Sequence, residues 1–126
     1  MATYKTINGG LQTPYFEDMM NGLKDIECRL ETQCDDGGDA ILTKWGSLEV
    51  GDRIIFKEYG GDRTLKVLVV CMYGFRTFAE LMTHFGYKRC MPREASLNDA
   101  VEKYRGLYQD RDLKFGVVGI EVKVID

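Results

Sequence analysis

The sequence contains little histidine and no C-x-x-C pair, and this limits the metal sites and the acid–base chemistry that it can form. His84 is the single histidine, and the cysteines are Cys28, Cys34, Cys71 and Cys90. A zinc site would need Cys28 and Cys34 with distant ligands, which their spacing does not support. We therefore expect no metal ion, no cofactor and reduced thiols. Cys28 and Cys71 fall in apolar strand patterns and are predicted to be small core residues.

A long apolar run and a charged-then-apolar N-terminus are also missing. The longest apolar run, residues 67–73, has the length of a strand and not of a membrane-spanning helix. We therefore expect a cytoplasmic protein that does not interact with a membrane. The 126 residues, without repeats, linkers or low-complexity segments, are predicted to form one domain over residues 1–126.

Net positive charge is absent, which argues against a basic face that binds duplex nucleic acid. The formal net charge is −3, but it is distributed unevenly. Residues 1–62 carry a net charge of −6, whereas residues 63–126 carry +3. Such a local positive field could attract a short anionic ligand or a single strand, although charged helix faces are common in any protein.

The most informative stretch begins where a predicted helix ends. Thr13 is a predicted N-cap and Pro14 the first helical residue, and apolar residues then recur at helical spacing. Gly22 is predicted to end this helix in the left-handed conformation. The helix over residues 14–21 therefore leads directly into the segment that starts at Lys24.

After Gly22 the hydrophobic period changes to two, which predicts a strand over residues 24–31. Glu27 and Arg29 then share the polar face of this strand, and Lys24 lies at the helix-to-strand corner. Taken alone, the three charges favour a solvated polar face over a site, because structural ion pairs are common. We expect their side chains to converge on one solvent-accessible cleft if they form a site.

The rest of the chain predicts a hairpin, two helices and a closing strand. Ser96 is a predicted N-cap, and His84 lies off its helix's apolar stripe and is predicted to be solvated. Val118, Ile120 and Val124 are predicted to face inward along the closing strand, as is Val122. The predicted ranges are a weak leading strand over 3–7, hairpin arms over 53–59 and 64–73, helices over 75–85 and 97–108, and the strand 115–125.

Residues 31–47 are predicted to be a surface loop, because Asp35 to Asp39 form a turn-rich acidic run. Trp45, the single tryptophan, is predicted to pack against the core, with stacking on a base as the alternative.

The charged corner resembles a known family signature. Gly22-x-Lys24-x-x-Glu27-x-Arg29 matches the G-x-K-x-x-E-x-R pattern of the ASCH domain, a PUA-like RNA-binding family named after the activating signal cointegrator. The resemblance covers roughly residues 13–124, with residues 31–47 as a longer insertion. Further similar segments are Val50-Gly51-Asp52, residues 73–81, Tyr108 and Gly116-Val117-Val118.

This resemblance implies an α+β fold, a small PUA-like β-barrel with helices packed on one side. It also implies binding of single-stranded RNA or a modified nucleotide in a cleft lined by the signature. Lysine supplies a point charge and arginine a planar fork, so the pair can hold and orient an anion. The binding residues that we expect are Gly22, Lys24, Glu27, Arg29, Tyr73, Arg76 and Tyr108, with Tyr15 as another stacking candidate.

Two alternatives stay open. Some ASCH relatives resemble metal-independent ribonucleases, for which Lys24, Tyr15 and Ser96 would be the catalytic candidates, and others resemble N4-acetylcytidine amidohydrolases. In a ribonuclease, Lys24 or Glu27 would have to move protons, since no histidine is placed to do so. The second alternative is a protein-interaction adaptor that binds a protein partner and no nucleotide. Lys24→Ala is expected to weaken nucleotide binding without unfolding the protein, since a corner lysine contributes little packing.

We predict that the protein does not deacetylate N4-acetylcytidine. The related amidohydrolases need a threonine three residues after the signature lysine, and Glu27 occupies that position. Attack by a carboxylate would give an anhydride and not a stable acyl intermediate. Chromatography of the nucleoside product should show no turnover by wild type, and any gain by Glu27→Thr would indicate a degenerate site. Strong wild-type activity that Glu27→Thr abolishes would contradict this prediction.

Overall fold

The structure, a computed structural model, describes residues 3–125, in which alternating and helical apolar patterns form seven strands and five helices. In chain order these elements are β1 (Thr6–Gln12), α1 (Thr13–Met20), β2 (Ile26–Leu30), β3 (Thr32–Cys34), β4 (Ala40–Leu42), β5 (Arg53–Tyr59), β6 (Thr64–Phe75), α2 (Phe78–Phe85), α3 (Tyr87–Cys90), α4 (Leu97–Arg105), α5 (Asp110–Leu113) and β7 (Val117–Val124).

Five strands form one curled sheet in the order β1-β5-β6-β7-β2. β1 pairs with β5 in parallel, and the other neighbours pair antiparallel. The mixed α+β class is therefore confirmed, as a half-barrel with helices. Within residues 3–125, β1 and β2 are the two edges of the sheet, and no strand pairing joins them. None of the helices in this range combines the length and the apolar character needed to cross a membrane.

One core fills the inside of the curled sheet. Ile54 and Phe56 alternate inward along β5, and Phe16 of α1 packs against the same cluster. Trp45 is buried in this core, with its ring stacked 6.1 Å from that of Phe56. The predicted packing of Trp45 is therefore confirmed. Each such side chain stabilises the fold by about 1.5–3 kcal/mol when fully buried.

A second core lies between the sheet and the helices. Phe78 and Leu81 of α2 and Ala100 of α4 pack against Ile26 of β2. Tyr15, at the start of α1, contacts both cores. The boundary between sheet and helices therefore runs past Tyr15, and a cleft opens there.

Side chains cap two of the helices, and the cap at Ser96 was predicted. The Ser96 hydroxyl accepts a hydrogen bond from the Asp99 N–H (3.1 Å), and Thr77 caps α2 in the same way. The first helix differs from its prediction by one residue, because Gln12 occupies the N-cap position and Thr13 is already helical. The Thr13 hydroxyl instead donates to the Tyr59 carbonyl (3.1 Å).

Several elements differ from their predictions. The leading strand spans Thr6–Gln12 and not residues 3–7, because Gly9 and Gly10 interrupt its apolar alternation. A β carbon on either glycine would overlap the ring of Trp45 or Tyr59, so these positions need glycine for close packing.

The predicted loop over residues 31–47 contains the short hairpin of β3 and β4. Its turn is the predicted acidic run, in which one Asp35 carboxylate oxygen accepts from the Gly37 and Asp39 N–H groups. The flanking strands were missed because each has three residues, too few to show a period.

Smaller corrections concern helices and side-chain burial. β6 extends to Phe75, so α2 begins at Phe78, and the four-residue helices α3 and α5 were not predicted. Val124 is exposed at the end of β7, and Cys71 is half-buried, whereas Cys28 is buried as predicted.

We predict that Asp52→Ala destabilises the fold. The buried Asp52 carboxylate accepts from the Lys5 N–H (3.0 Å) and the Glu49 N–H (2.8 Å), which ties the chain before β1 to the entry of β5. Each donor left without an acceptor costs about 1–3 kcal/mol. Urea unfolding should show this loss, while the exposed Asp36→Ala should stay within about 0.5 kcal/mol of wild type. Equal stability of the two variants would contradict the role of Asp52.

Candidate functional site

The turn between α1 and β2 brings Lys24 into the interior. Gly22 has a φ of +80°, the left-handed conformation predicted for it. The N–H groups of Leu23 and Lys24 both donate to the Asp18 carbonyl (2.8 and 3.1 Å). The Asp18 side chain is itself fixed by Arg93, at 2.8 and 3.0 Å. The Lys24 side chain therefore points inward, with 1% of its surface exposed.

Lys24 makes two hydrogen bonds and one ion pair in this position. Its ammonium donates to the Ile26 carbonyl (2.9 Å) and to the Cys90 carbonyl (2.7 Å), and it lies 3.6 Å from a Glu27 carboxylate oxygen. Two of the three ammonium donors thus hold backbone carbonyls, and the contact with Glu27 is an ion pair longer than a hydrogen bond.

Glu27 is the buried anion of the site, with 1% exposure. Its Oε1 accepts from the Cys28 N–H (3.0 Å) and from the Tyr104 hydroxyl (3.1 Å), and its Oε2 lies 3.5 Å from Arg29. Burial raises the pKa of Glu27, but Lys24 and Arg29, with both hydrogen bonds, outweigh burial and hold this pKa below its ordinary value. Glu27 is therefore a carboxylate at neutral pH.

The Tyr104 hydroxyl stays protonated beside this carboxylate. Burial, followed by the charge of Glu27, raises the pKa of Tyr104 well above its ordinary value. Tyr104 therefore acts as a hydrogen-bond donor from α4 to β2, and it couples the helices to the charged corner.

Arg29 connects the two edges of the curled sheet. From β2 its guanidinium donates to the Gly10 carbonyl of β1 (3.2 Å), and it lies 4.3 Å from the centre of the Trp45 ring. Burial lowers the pKa of Arg29, but the Glu27 charge outweighs it and raises the pKa. Among residues 3–125, Arg29 Nε is a buried nitrogen with no hydrogen-bond partner. A buried donor without an acceptor costs about 1–3 kcal/mol, which a ligand acceptor could recover.

A cavity of about 250 Å³ opens above these charges, between sheet and helices. Tyr15, Tyr104 and Tyr108 provide aromatic lining, and Lys103 and Leu107 line it from the α4 side. Lys103 is about half exposed and lies 3.6 Å from Glu94. Tyr15, followed by Glu94, raises the pKa of Lys103. The cavity thus combines an ionic floor with tyrosine walls and one half-exposed lysine at its side.

The predicted convergence of Lys24, Glu27 and Arg29 is confirmed, and Tyr15 and Tyr108 join them. The predicted solvent accessibility is wrong for Lys24 and Glu27, because each pairs in the interior. The solvated-face alternative is wrong for the same reason. Only Arg29 keeps substantial exposure, at 23% of its side chain.

Four predicted residues lie outside the cavity lining. Gly22 shapes the turn, and Ser96 is an N-cap. Arg76 is 90% exposed and pairs with Glu80.

Tyr73 is the fourth. Its ring packs 4.9 Å from that of Phe85, and its hydroxyl donates to Glu121 (3.4 Å). The Cys71 side chain, burial and Glu121 raise the pKa of Tyr73 to about 12. Tyr73 is therefore part of the sheet–helix packing and not of the cavity.

Sequence reasoning missed Gly10, Tyr59 and Lys103 as lining residues. Lys103 immediately precedes Tyr104, which belongs to the predicted apolar stripe of α4. This position beside a buried residue was the signal in the sequence that Lys103 lies near the interior. Gly10 and Tyr59 give no comparable signal, because they meet only through the parallel pairing of β1 with β5.

Comparison with known proteins extends over almost the whole chain. The crystal structure of the hypothetical protein PH0355 is 33% identical in sequence, with a TM-score of 0.75, and the match covers 95% of this chain and 99% of that one. The chain belongs to the same family as PH0355. The solution NMR structure of protein PF0455 from Pyrococcus furiosus also matches, with 26% sequence identity and a TM-score of 0.69. This match covers 96% of this chain and 98% of that one. No family model and no curated protein matches the sequence.

In this PH0355-family chain, the premise that Lys24 contributes little packing is wrong. Its buried ammonium holds the carbonyls of β2 and α3 together with Glu27. Lys24→Ala would leave these acceptors and the Glu27 charge without a partner, so we expect it to lower stability as well as any binding.

We predict that Glu27→Gln destabilises the protein by about 3–5 kcal/mol at pH 7, because it leaves Lys24 and Arg29 buried without a counter-charge. The pKa of Glu27 is lower in the folded protein than its ordinary value of 4.5. The carboxylate therefore stabilises the fold above pH 4.5, and this contribution is lost as the pH falls through the folded pKa.

Urea unfolding across this pH range should show a difference between wild type and Glu27→Gln that shrinks in acid. Glu102→Gln, which changes an exposed carboxylate on α4, is the matched control and should show little effect. A difference that is absent at pH 7, or that grows in acid, would contradict the buried ion network.

Proposed function

We propose that this PH0355-family chain is an ASCH-type, PUA-like domain that binds single-stranded RNA or a modified nucleotide by inserting one base into the cavity above Glu27 and Arg29. The observation that carries the proposal is the combination of a buried carboxylate, an arginine with an unpartnered donor and four tyrosines around one cavity. The signature residues supply the floor, and α1 and α4 supply the aromatic walls.

The cavity size favours one base. Its volume of about 250 Å³ is below the range of about 300–1,000 Å³ for pockets that hold drug-sized ligands. Tyrosine faces suit a planar ring, and stacking on an aromatic side chain contributes about 1–3 kcal/mol per base. A single base or nucleoside therefore fits better than an extended ligand held inside the cavity.

The polar groups favour a base edge with both a donor and an acceptor. Glu27 is ionised, so it only accepts hydrogen bonds, for example from an exocyclic amino group. Arg29 only donates, and its Nε has no protein partner within residues 3–125. This pairing supports recognition through the hydrogen-bonding edge of an unpaired base, the mode by which proteins read single-stranded RNA.

The hydrolase alternative has weaker support. Lys24 is buried, holds two backbone carbonyls and pairs with Glu27, and a carboxylate with a lowered pKa is a poor general base. Ser96 caps α4 outside the cavity lining and so does not join Tyr15 and Lys24. Binding without chemistry is therefore the function that these contacts favour.

We predict that the protein binds a fluorescent single-stranded RNA octamer of mixed sequence, measured by anisotropy at 50 and 200 mM salt. Lys103→Ala should weaken binding about fivefold, equivalent to about 1 kcal/mol for an exposed charged contact. Lys88→Ala removes an equally exposed lysine of α3 that does not line the cavity, and it should bind like wild type.

Absence of RNA or mononucleotide binding by wild type at the lower salt concentration would overturn the proposal, and would leave the protein-interaction adaptor as the better account. Equal losses in Lys103→Ala and Lys88→Ala would show that binding is non-specific and does not use the cavity.

A further inference from the structure

A second groove, of about 490 Å³, adjoins the cavity across the free edge of β1. Gly10, Arg29 and Tyr59 line both spaces, so the cavity and the groove share a wall at these residues. A ligand in the cavity therefore lies next to the groove, on the other side of the Arg29 guanidinium.

The groove is positively charged along its length. Arg29, Lys44 and Lys57 line it, and no acidic side chain does. Lys44 is held by the Asn8 carbonyl (2.7 Å), whereas Lys57 is exposed on the outer face of β5 and has no ion-pair partner among residues 3–125. Lys44 and Lys57, with no carboxylate in the groove lining, form a local site for an anion beside Arg29, which itself pairs with Glu27 of the cavity.

Backbone also contributes to the groove. Gly9 and Gly10 line it, and neither carries a side chain that would keep a ligand away from β1. The free-edge carbonyls of Asn8 and Gly10 accept hydrogen bonds from Lys44 and Arg29. These two cations therefore cover the edge acceptors that would otherwise repel an anion.

We propose that this groove binds a backbone phosphate next to the base in the cavity, so that the ligand is a single-stranded polynucleotide and not a free nucleoside. This inference rests on the proposed function, since the cavity must first hold a base. Arg29 then serves both parts of the ligand, because it lines the cavity and the groove. Lys57 and Lys44 meet the phosphate from the outer face of the sheet and from the segment before β5.

A single strand fits this arrangement better than a duplex. A paired base cannot enter a cavity below the protein surface, whereas a base in a single strand can turn away from its neighbours. The backbone of the same strand then continues along the positive groove, as in other single-strand sites that combine stacking with cations.

The test compares Lys57→Ala with wild type, Lys103→Ala and Lys88→Ala on the labelled RNA octamer over 50–200 mM salt. Each phosphate contact to a single strand contributes about 0.7 to the slope of log affinity against log salt. Lys57→Ala should lower this slope by about 0.7, so that wild type loses about 2- to 3-fold more affinity than the variant over the range. Lys88→Ala should keep the wild-type slope. Because Lys57 is exposed and without an ion-pair partner in the described residues, its loss should leave the unfolding curve unchanged.

The outcomes separate the two proposals. RNA binding that Lys103→Ala weakens and Lys57→Ala leaves unchanged would overturn the phosphate groove and keep the base cavity. No binding by wild type would overturn both. Equal affinity for the octamer and for its duplex with a complementary strand would also overturn the groove as a single-strand site.

Discussion

The buried carboxylate of Glu27 is the interaction on which the site and the neighbouring fold depend. It faces two cations, Lys24 and Arg29, and accepts a hydrogen bond from Tyr104 across the gap to α4. Burial of a single charge would be costly, but here each charge has an opposite partner. One carboxylate thereby fixes the helix-to-strand turn, the position of α4 and the orientation of the arginine that reaches β1.

Structure and recognition use the same arginine. Arg29 connects the edge strands β1 and β2, which no backbone ladder joins within residues 3–125, and it forms the boundary between cavity and groove. Its Nε is a buried donor with no partner in this part of the chain, beside the proposed ligand cavity. Exposed lysines such as Lys57 and Lys103 carry no comparable structural role, and they separate binding from folding more cleanly than the signature residues do.

The sequence predicted the elements whose hydrophobic period is long and regular. The alternation through β2 and the spacing of α2 and α4 predicted the core between sheet and helices, and the Gly22 to Arg29 pattern located the charged corner. The short hairpin of β3 and β4 and the glycine-interrupted β1 have no such period. The sequence also could not predict that Glu27 is buried. Its partner Tyr104 is 77 residues away in sequence, and the Cys90 carbonyl that accepts from Lys24 is 66 residues away from Lys24. Such contacts follow from tertiary packing, which local patterns do not encode.

The most direct test of this account is the NMR signal of the Arg29 Nε–H group during titration with single-stranded RNA. If a base enters the cavity, this donor gains an acceptor, so its proton resonance should move downfield and its exchange with water should slow. The Gly10 amide, in the wall shared with the groove, should shift in the same titration. RNA binding that leaves both signals unchanged, with shifts confined to another surface, would contradict the claim that Glu27 and Arg29 form the recognition site.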